Sequence, residues 1–129
     1  MELSIDRDRL RINLNPWERM LAFFFNQTLD IPLDHIRQVT VAKPEIDWKE
    51  VRLPGTAVPG VIKAGTYYTN QGREFWYAAG DKNYLILELD SEFYKKIVLT
   101  IEHNRGWRDR INQEKGAIEQ GKRTRFLTR

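Results

Sequence analysis

Chemistry in this chain would have to come from few places. The sequence has two histidines, His35 and His103, and no cysteine. Neither histidine lies in a motif that would pair it with a serine nucleophile or a metal-binding partner, so both read as surface or capping residues. Without cysteine there can be no thiol nucleophile, disulfide, or cysteine-ligated zinc or iron–sulfur centre. Carboxylates are numerous but scattered. Pairs such as Asp6 with Asp8, Asp30 with Asp34 and Glu88 with Asp90 are explained by turns or by the polar positions of strands better than by paired acid/base work. Neither GxxxxGK[ST] nor GxGxxG occurs, and the three turn formers of Leu53-Pro54-Gly55-Thr56 to Gly60 precede no helix whose N-terminus could hold phosphate. The expectation is a non-enzyme with no catalytic residue, metal site or cofactor.

Three groups of residues could bind something instead. The segment from Lys43 to Gly60 is the longest irregular stretch, and Lys49, Arg52 and Lys63 are near enough in sequence to form a cationic rim beside Trp48. Long ordered loops often carry binding residues. The competing reading makes the same segment a plug, with Trp48 and Val51 folded over the core. The second group is aromatic: Tyr67, Tyr68, Phe75, Trp76, Tyr77 and Tyr84. Strand pairs consume aromatics readily, so core packing is favoured over a cavity lined by Tyr67, Trp76 or Tyr84. The third is basic. From His103 to Arg129 there are eight Lys/Arg against three Asp/Glu, while the chain as a whole is only +3. Arg105, Arg108 and the tail Lys122–Arg129 would favour anionic partners, although Gln120-Gly121-Lys122-Arg123-Thr124-Arg125 lacks the interleaved aromatics that stack on bases.

The elements that must position these groups are mostly strands. Leu3 and Ile5, then Leu10, Ile12 and Leu14, alternate with polar residues across Arg7-Asp8, which predicts a hairpin with one buried face. Asn15-Pro16-Trp17-Glu18 combines a cap, Pro at the first helical position and an acid three residues after the cap. Trp17, Met20, Leu21, Phe24 and Phe25 follow at helical spacing, predicting a short helix with a buried aromatic stripe. Leu29, Ile31 and Leu33 alternate up to Pro32, which should mark an edge or bulge, and Val39 and Val41 resume a strand ending near Lys43-Pro44. Val61 to Thr100 reads as consecutive antiparallel strands separated at Asn70-Gln71-Gly72, Gly80-Asp81-Lys82 and Ser91-Glu92. Asn104 should cap a last helix whose inner face is Trp107, Ile111 and Ile118, fraying near Gly116 and Gly121. At 129 residues this is expected to be one domain over 1–121 with a flexible basic tail over 122–129. Met20–Phe25 is the longest apolar run, too short to span a bilayer, and MELSIDRDRL has no signal-peptide core, so a soluble cytoplasmic protein is expected.

Ile31-Pro32-Leu33 leading to Ile36 and Val39, Leu53-Pro54-Gly55-Thr56 with Pro59-Gly60-Val61-Ile62, Ala64-Gly65-Thr66-Tyr67, Phe75-Trp76, and Leu87-Glu88-Leu89-Asp90 before Tyr94 and Ile97-Val98-Leu99 together resemble bacterial pleckstrin-homology-like (PH-like) domain proteins of uncharacterised function. The likeness covers roughly residues 3 to 118 as a diffuse pattern. It implies a mainly β fold, two nearly orthogonal antiparallel sheets forming a sandwich or partly open barrel, plugged at one end by the C-terminal helix. Bulges in such packing would explain Pro32 and Gly65. Phosphoinositide-binding members of the wider superfamily use a basic strand-loop-strand element. Here Asp6-Arg7-Asp8-Arg9 alternates in sign, so that ligand is not carried over. The function expected is a binding or scaffolding module that offers a protein or peptide partner a sheet edge or the Lys43–Gly60 loop. The alternative is an electrostatic adaptor attached to anionic membrane or nucleic acid by its basic end.

Overall fold

Local signals act first at the N-terminus. The computed structural model describes residues 1–24, 28–45, 52–59 and 61–127, with side chains described except at 52–54 and 122–127. Strands β1 (Glu2–Asp6) and β2 (Arg9–Asn13) pair antiparallel, Leu3 opposite Ile12 and Ile5 opposite Leu10. Their two-residue connection holds Arg7 in the left-handed region at φ 59°, the twist that tight hairpins require. Strand β3 (Thr28–Pro32) joins the other side of β2 and completes a three-stranded sheet. Pro32 ends this edge strand, where a missing N–H is tolerated.

Helix α1 (Pro16–Ala22) lies between β2 and β3 and has the anticipated capping box. Glu18 N donates to Asn15 Oδ1 at 2.8 Å, and Asn15 N donates to the Glu18 carboxylate at 2.9 Å. Its buried face is the predicted one only in part, and Phe25 lies outside the described residues. Glu18 and Ala22 are buried and Leu21 and Phe24 pack partly into the core, whereas Trp17 and Met20 face solvent. The face is set by the packing of α1 on the strands Arg52–Val58, Ile62–Thr69 and Gly72–Ala79 of the second sheet, since the two residues of the capping box belong to the same helix and turn with it. Its far end is held by Thr56, whose hydroxyl donates to the Leu21 carbonyl at 2.8 Å.

The second sheet contains β4 (Ile36–Thr40), β5 (Arg52–Val58), β6 (Ile62–Thr69), β7 (Gly72–Ala79), β8 (Tyr84–Leu89) and β9 (Lys96–Thr100), in the order β4-β8-β9-β7-β6-β5. Consecutive antiparallel pairing holds for β5, β6 and β7, and again for β8 with β9, but fails between β7 and β8. Strand β9 inserts between them and runs parallel to β7, with Trp76 opposite Val98 and Tyr77 opposite Leu99. The composition of β9 accounts for this. Ile97, Val98 and Leu99 are all buried, and a strand apolar on both faces belongs inside a sheet rather than at its edge. Where β7 outruns β9, the Thr100 hydroxyl accepts from Ala79 N at 2.9 Å.

Alternation along the central strands then makes two cores. Phe75, Tyr77, Leu85, Leu87, Ile97 and Leu99 join Leu10, Ile12, Leu29 and Ile31 of the small sheet, and helix α2 (Asn104–Leu127) adds buried Ile111 with partly buried Trp107 and Ile118. The opposite face gathers Tyr67, Trp76, Ala78, Tyr84, Ile86 and Val98. The expected mainly β architecture of two sheets with a C-terminal helix is therefore present, and the helix packs beside β4 and β8. Asn104 does not cap it by its side chain; that amide instead donates to the Tyr84 carbonyl at 2.8 Å and ties α2 to β8. The helical backbone continues past Gly116 and Gly121 to Leu127. On β5 the register shifts between Arg52 and Gly55, opposite Gly65 with its φ of 139°, so the irregularity anticipated at Gly65 lies in this pair.

Candidate functional site

The residues singled out from the sequence separate in space. Trp48 and Lys49 lie outside the described residues. Arg52 opens edge strand β5 opposite Tyr67. Lys63, expected on a cationic rim, is buried instead at 1% exposure, its ammonium 3.9 Å from the centre of the Trp76 ring and 4.3 Å from that of Tyr67. Strand alternation puts Lys63, Gly65 and Tyr67 on one face of β6, and Gly65, paired with Trp76, puts no side chain between them. A cation over two ring faces is stabilised by their quadrupoles. Arg105 and Arg108 stand in the first turn of α2, Arg105 exposed and Arg108 bonded to Asp109 at 3.0 Å. They are on a different element from Lys63 and Arg52, so no single cationic surface unites the described members of the set.

The carboxylates settle into ion pairs. Asp30 lies 2.8 Å from Arg9 and 3.7 Å from Arg11, and Glu88 lies 3.8 Å from Arg37. His35 Nδ1 and Glu92 Oε2 are 2.6 Å apart. Buried Glu74 accepts from the Trp76 indole at 2.9 Å and lies 3.9 Å from Lys96. Among the described residues, no three His, Cys, Asp or Glu side chains form a group able to hold a metal.

The arrangement best suited to binding is a groove of about 430 Å³ on the open side of the two sheets. One wall is β3, which contributes four consecutive residues, Thr28 to Ile31. Consecutive residues of a strand face opposite ways, so it is the backbone edge of β3 that borders the groove. That edge pairs with no other described strand. Buried Leu29, Ile31 and Ile97 supply an apolar floor.

The facing wall is aromatic. Phe93 is 59% exposed, packs edge-on against Tyr94 at 4.9 Å and carries the Arg73 guanidinium 3.8 Å above its ring. Tyr94 continues to Phe75 at 5.6 Å, and Phe75 to Phe24 at 5.4 Å. Burial pushes the Tyr94 phenol above its ordinary pKa, partly offset by its hydrogen bond to Thr66 at 3.1 Å. This row of rings therefore stays neutral and fixed under ordinary conditions. Sequence reasoning missed the groove because a strand edge is made of backbone; Phe93, an aromatic in a turn, was the one available signal. Other clefts among the described residues carry charge, including one of about 460 Å³ beside Lys43, Lys63 and Tyr84 and one between Arg37, Glu74, Glu88 and Lys96. Neither a protein-family model, nor a curated protein, nor a solved structure matches this chain.

Proposed function

We propose that this chain is a non-enzymatic binding module that receives an extended polypeptide segment along the open edge of β3. The observation that carries the reading is the coincidence of an unpaired strand edge with an apolar groove and a half-exposed aromatic, Phe93, on its far wall. Edge addition takes affinity from main-chain hydrogen bonds and specificity from alternate side chains entering a groove. It needs no motif of titratable residues. The two sheets and closing helix also support kinship with PH-like proteins, and the absence of cysteine is compatible with a reducing cytoplasm. No helix among the described residues is long and apolar enough to cross a membrane.

A random-peptide library panned against the whole chain tests the proposal, with amide hydrogen exchange mapping the winners. Selected peptides should protect alternate amides of β3, and Phe93→Ala should weaken them about tenfold, the usual scale for an aromatic anchor. Winners that leave β3 exchange unchanged, or bind F93A as well as the parent chain, would reject the groove.

A further inference from the structure

Helix α1 presents an outer face that the fold does not use. Trp17 is 62%, Met20 55% and Phe23 49% exposed, on adjacent turns of one short helix. The helix cannot simply roll to bury them, because the Thr56 hydroxyl of β5 holds the Leu21 carbonyl and the opposite face, with Ala22 buried, already packs on the sheet. Phe23 adds a second observation. It closes the helix in the left-handed conformation, φ 51° and ψ 38°, with its N–H turned back to the Arg19 and Met20 carbonyls. That position favours glycine, and a bulky residue there is strained. The chain keeps a large ring at a strained site and leaves about half of it in water.

Size and charge identify what the face suits. Half-exposed side chains of this kind present on the order of 100 Å² each, so the patch offers about 300 Å², against the roughly 800 Å² per partner of a stable protein complex. A second copy of the chain, or a folded partner, would find too little area. Within the patch the backbone is helical, so it offers no strand edge of its own to specify a protein. A bilayer interface requires no complementary shape, gains from whatever apolar area enters it, and accommodates Trp and Phe at the headgroup boundary. The only carboxylate on the helix, Glu18, is buried in the capping box. The remaining charge is Arg19, partly exposed, its Nε–H buried without a hydrogen-bond partner among the described residues. We propose that the outer face of α1 is a membrane-contact surface, with Trp17, Met20 and Phe23 entering the interfacial layer of an anionic bilayer and Arg19 meeting its phosphates.

Co-sedimentation of the whole chain with vesicles of phosphatidylcholine and phosphatidylserine tests this, alongside thermal unfolding of each variant. The parent chain should sediment with the vesicles. Trp17→Ser and Met20→Ser should each reduce partitioning about tenfold while leaving the melting curve in place, because both side chains are exposed. Phe23→Gly separates contact from structure: it should weaken partitioning and raise the melting temperature, since glycine relieves the left-handed backbone. Absence of the parent chain from the vesicle pellet would overturn the proposal. So would partitioning that W17S leaves unchanged but that truncation after Gly121 abolishes, because attachment would then belong to the basic end of α2.

Discussion

Gly55 is where one methyl group should do the most damage. A Cβ built there would lie 2.5 Å from the Ala64 carbonyl oxygen and 3.1 Å from the Gly65 Cα, both of them backbone atoms. Ordinary contact begins near 3.4 Å, so β5 must move away from β6 by close to an ångström. No side-chain rotation can absorb that. Sheet strands lie about 4.8 Å apart, and a displacement on this scale breaks the nearby ladder bonds. Each is worth about 1 kcal/mol net, and two or three are at stake between Gly55 and Val58. Gly55→Ala should therefore cost about 2–3 kcal/mol, read as a lowered urea midpoint at unchanged slope. Strand β5 is an edge strand, which caps the cost at peeling its end. Because Thr56 anchors α1 through the Leu21 carbonyl, exchange of the α1 amides should accelerate in the same variant. Gly116→Ala is the control: nothing lies within 4 Å of where its Cβ would stand on α2, and alanine in a helix should add about 0.5–1 kcal/mol. If G55A unfolds within 0.5 kcal/mol of the parent, an amount below the ~1 kcal/mol of a single ladder bond, the close approach of Gly55 and Gly65 is not a constraint on this sheet.

Ile111→Ala should cost about 2–4 kcal/mol in chemical denaturation, because the side chain is fully buried under α2 and its removal leaves a cavity; a loss below ~1 kcal/mol, near the value of one buried methylene, would mean that the helix is not seated there. Glu74→Ala strands the buried Trp76 indole N–H and should cost about 1–3 kcal/mol, whereas Glu74→Gln, which keeps an acceptor, should recover most of it. Tyr77, Tyr84 and Tyr94 have raised pKa values, chiefly from burial. The unfolded chain releases these protons near pH 10, the ordinary tyrosine value, while the folded chain retains them. Stability is thus intact below that pH and falls above it. Tyrosinate absorbance should accordingly rise together with unfolding; ionisation of these three phenols at the ordinary pH in a still-folded chain would contradict their burial.

The parts legible in the sequence were those set by near neighbours. Arg7-Asp8 between alternating runs gave the hairpin, Asn15-Pro16 with Glu18 gave the start of α1, and Trp107 with Ile111 and Ile118 gave the inner face of α2. What could not be read depends on contacts between distant segments. The apolar run Ile97-Val98-Leu99 marks a strand covered on both faces, but nothing local names β7 as its second neighbour in place of a plain fourth strand of the meander. On α1 the spacing promised one buried stripe, but packing on β5, β6 and β7 took Leu21, Ala22 and Phe24 inward and left Trp17 and Met20 outside. Lys63 looked like a surface cation beside Lys49 and Arg52; its place on β6, two residues from bare Gly65, which is the one paired with Trp76, puts it under two rings. The groove at β3 left almost no trace, being formed by peptide groups that every sequence possesses.

The parallel seat of β9 also orders events during synthesis. As the chain emerges from a ribosome, β7 and β8 are both available before Lys96–Thr100 has come out, yet in the finished sheet they never pair with each other. The nascent molecule must hold a vacant slot one strand wide, with two long apolar margins open to mispairing. Only when β9 arrives, and Asn104 behind it reaches the Tyr84 carbonyl, is the gap closed. A pause in translation with residues up to 90 outside the ribosome should thus yield a sticky half-product, whereas a pause with residues up to 111 outside should leave a chain able to finish its sheet.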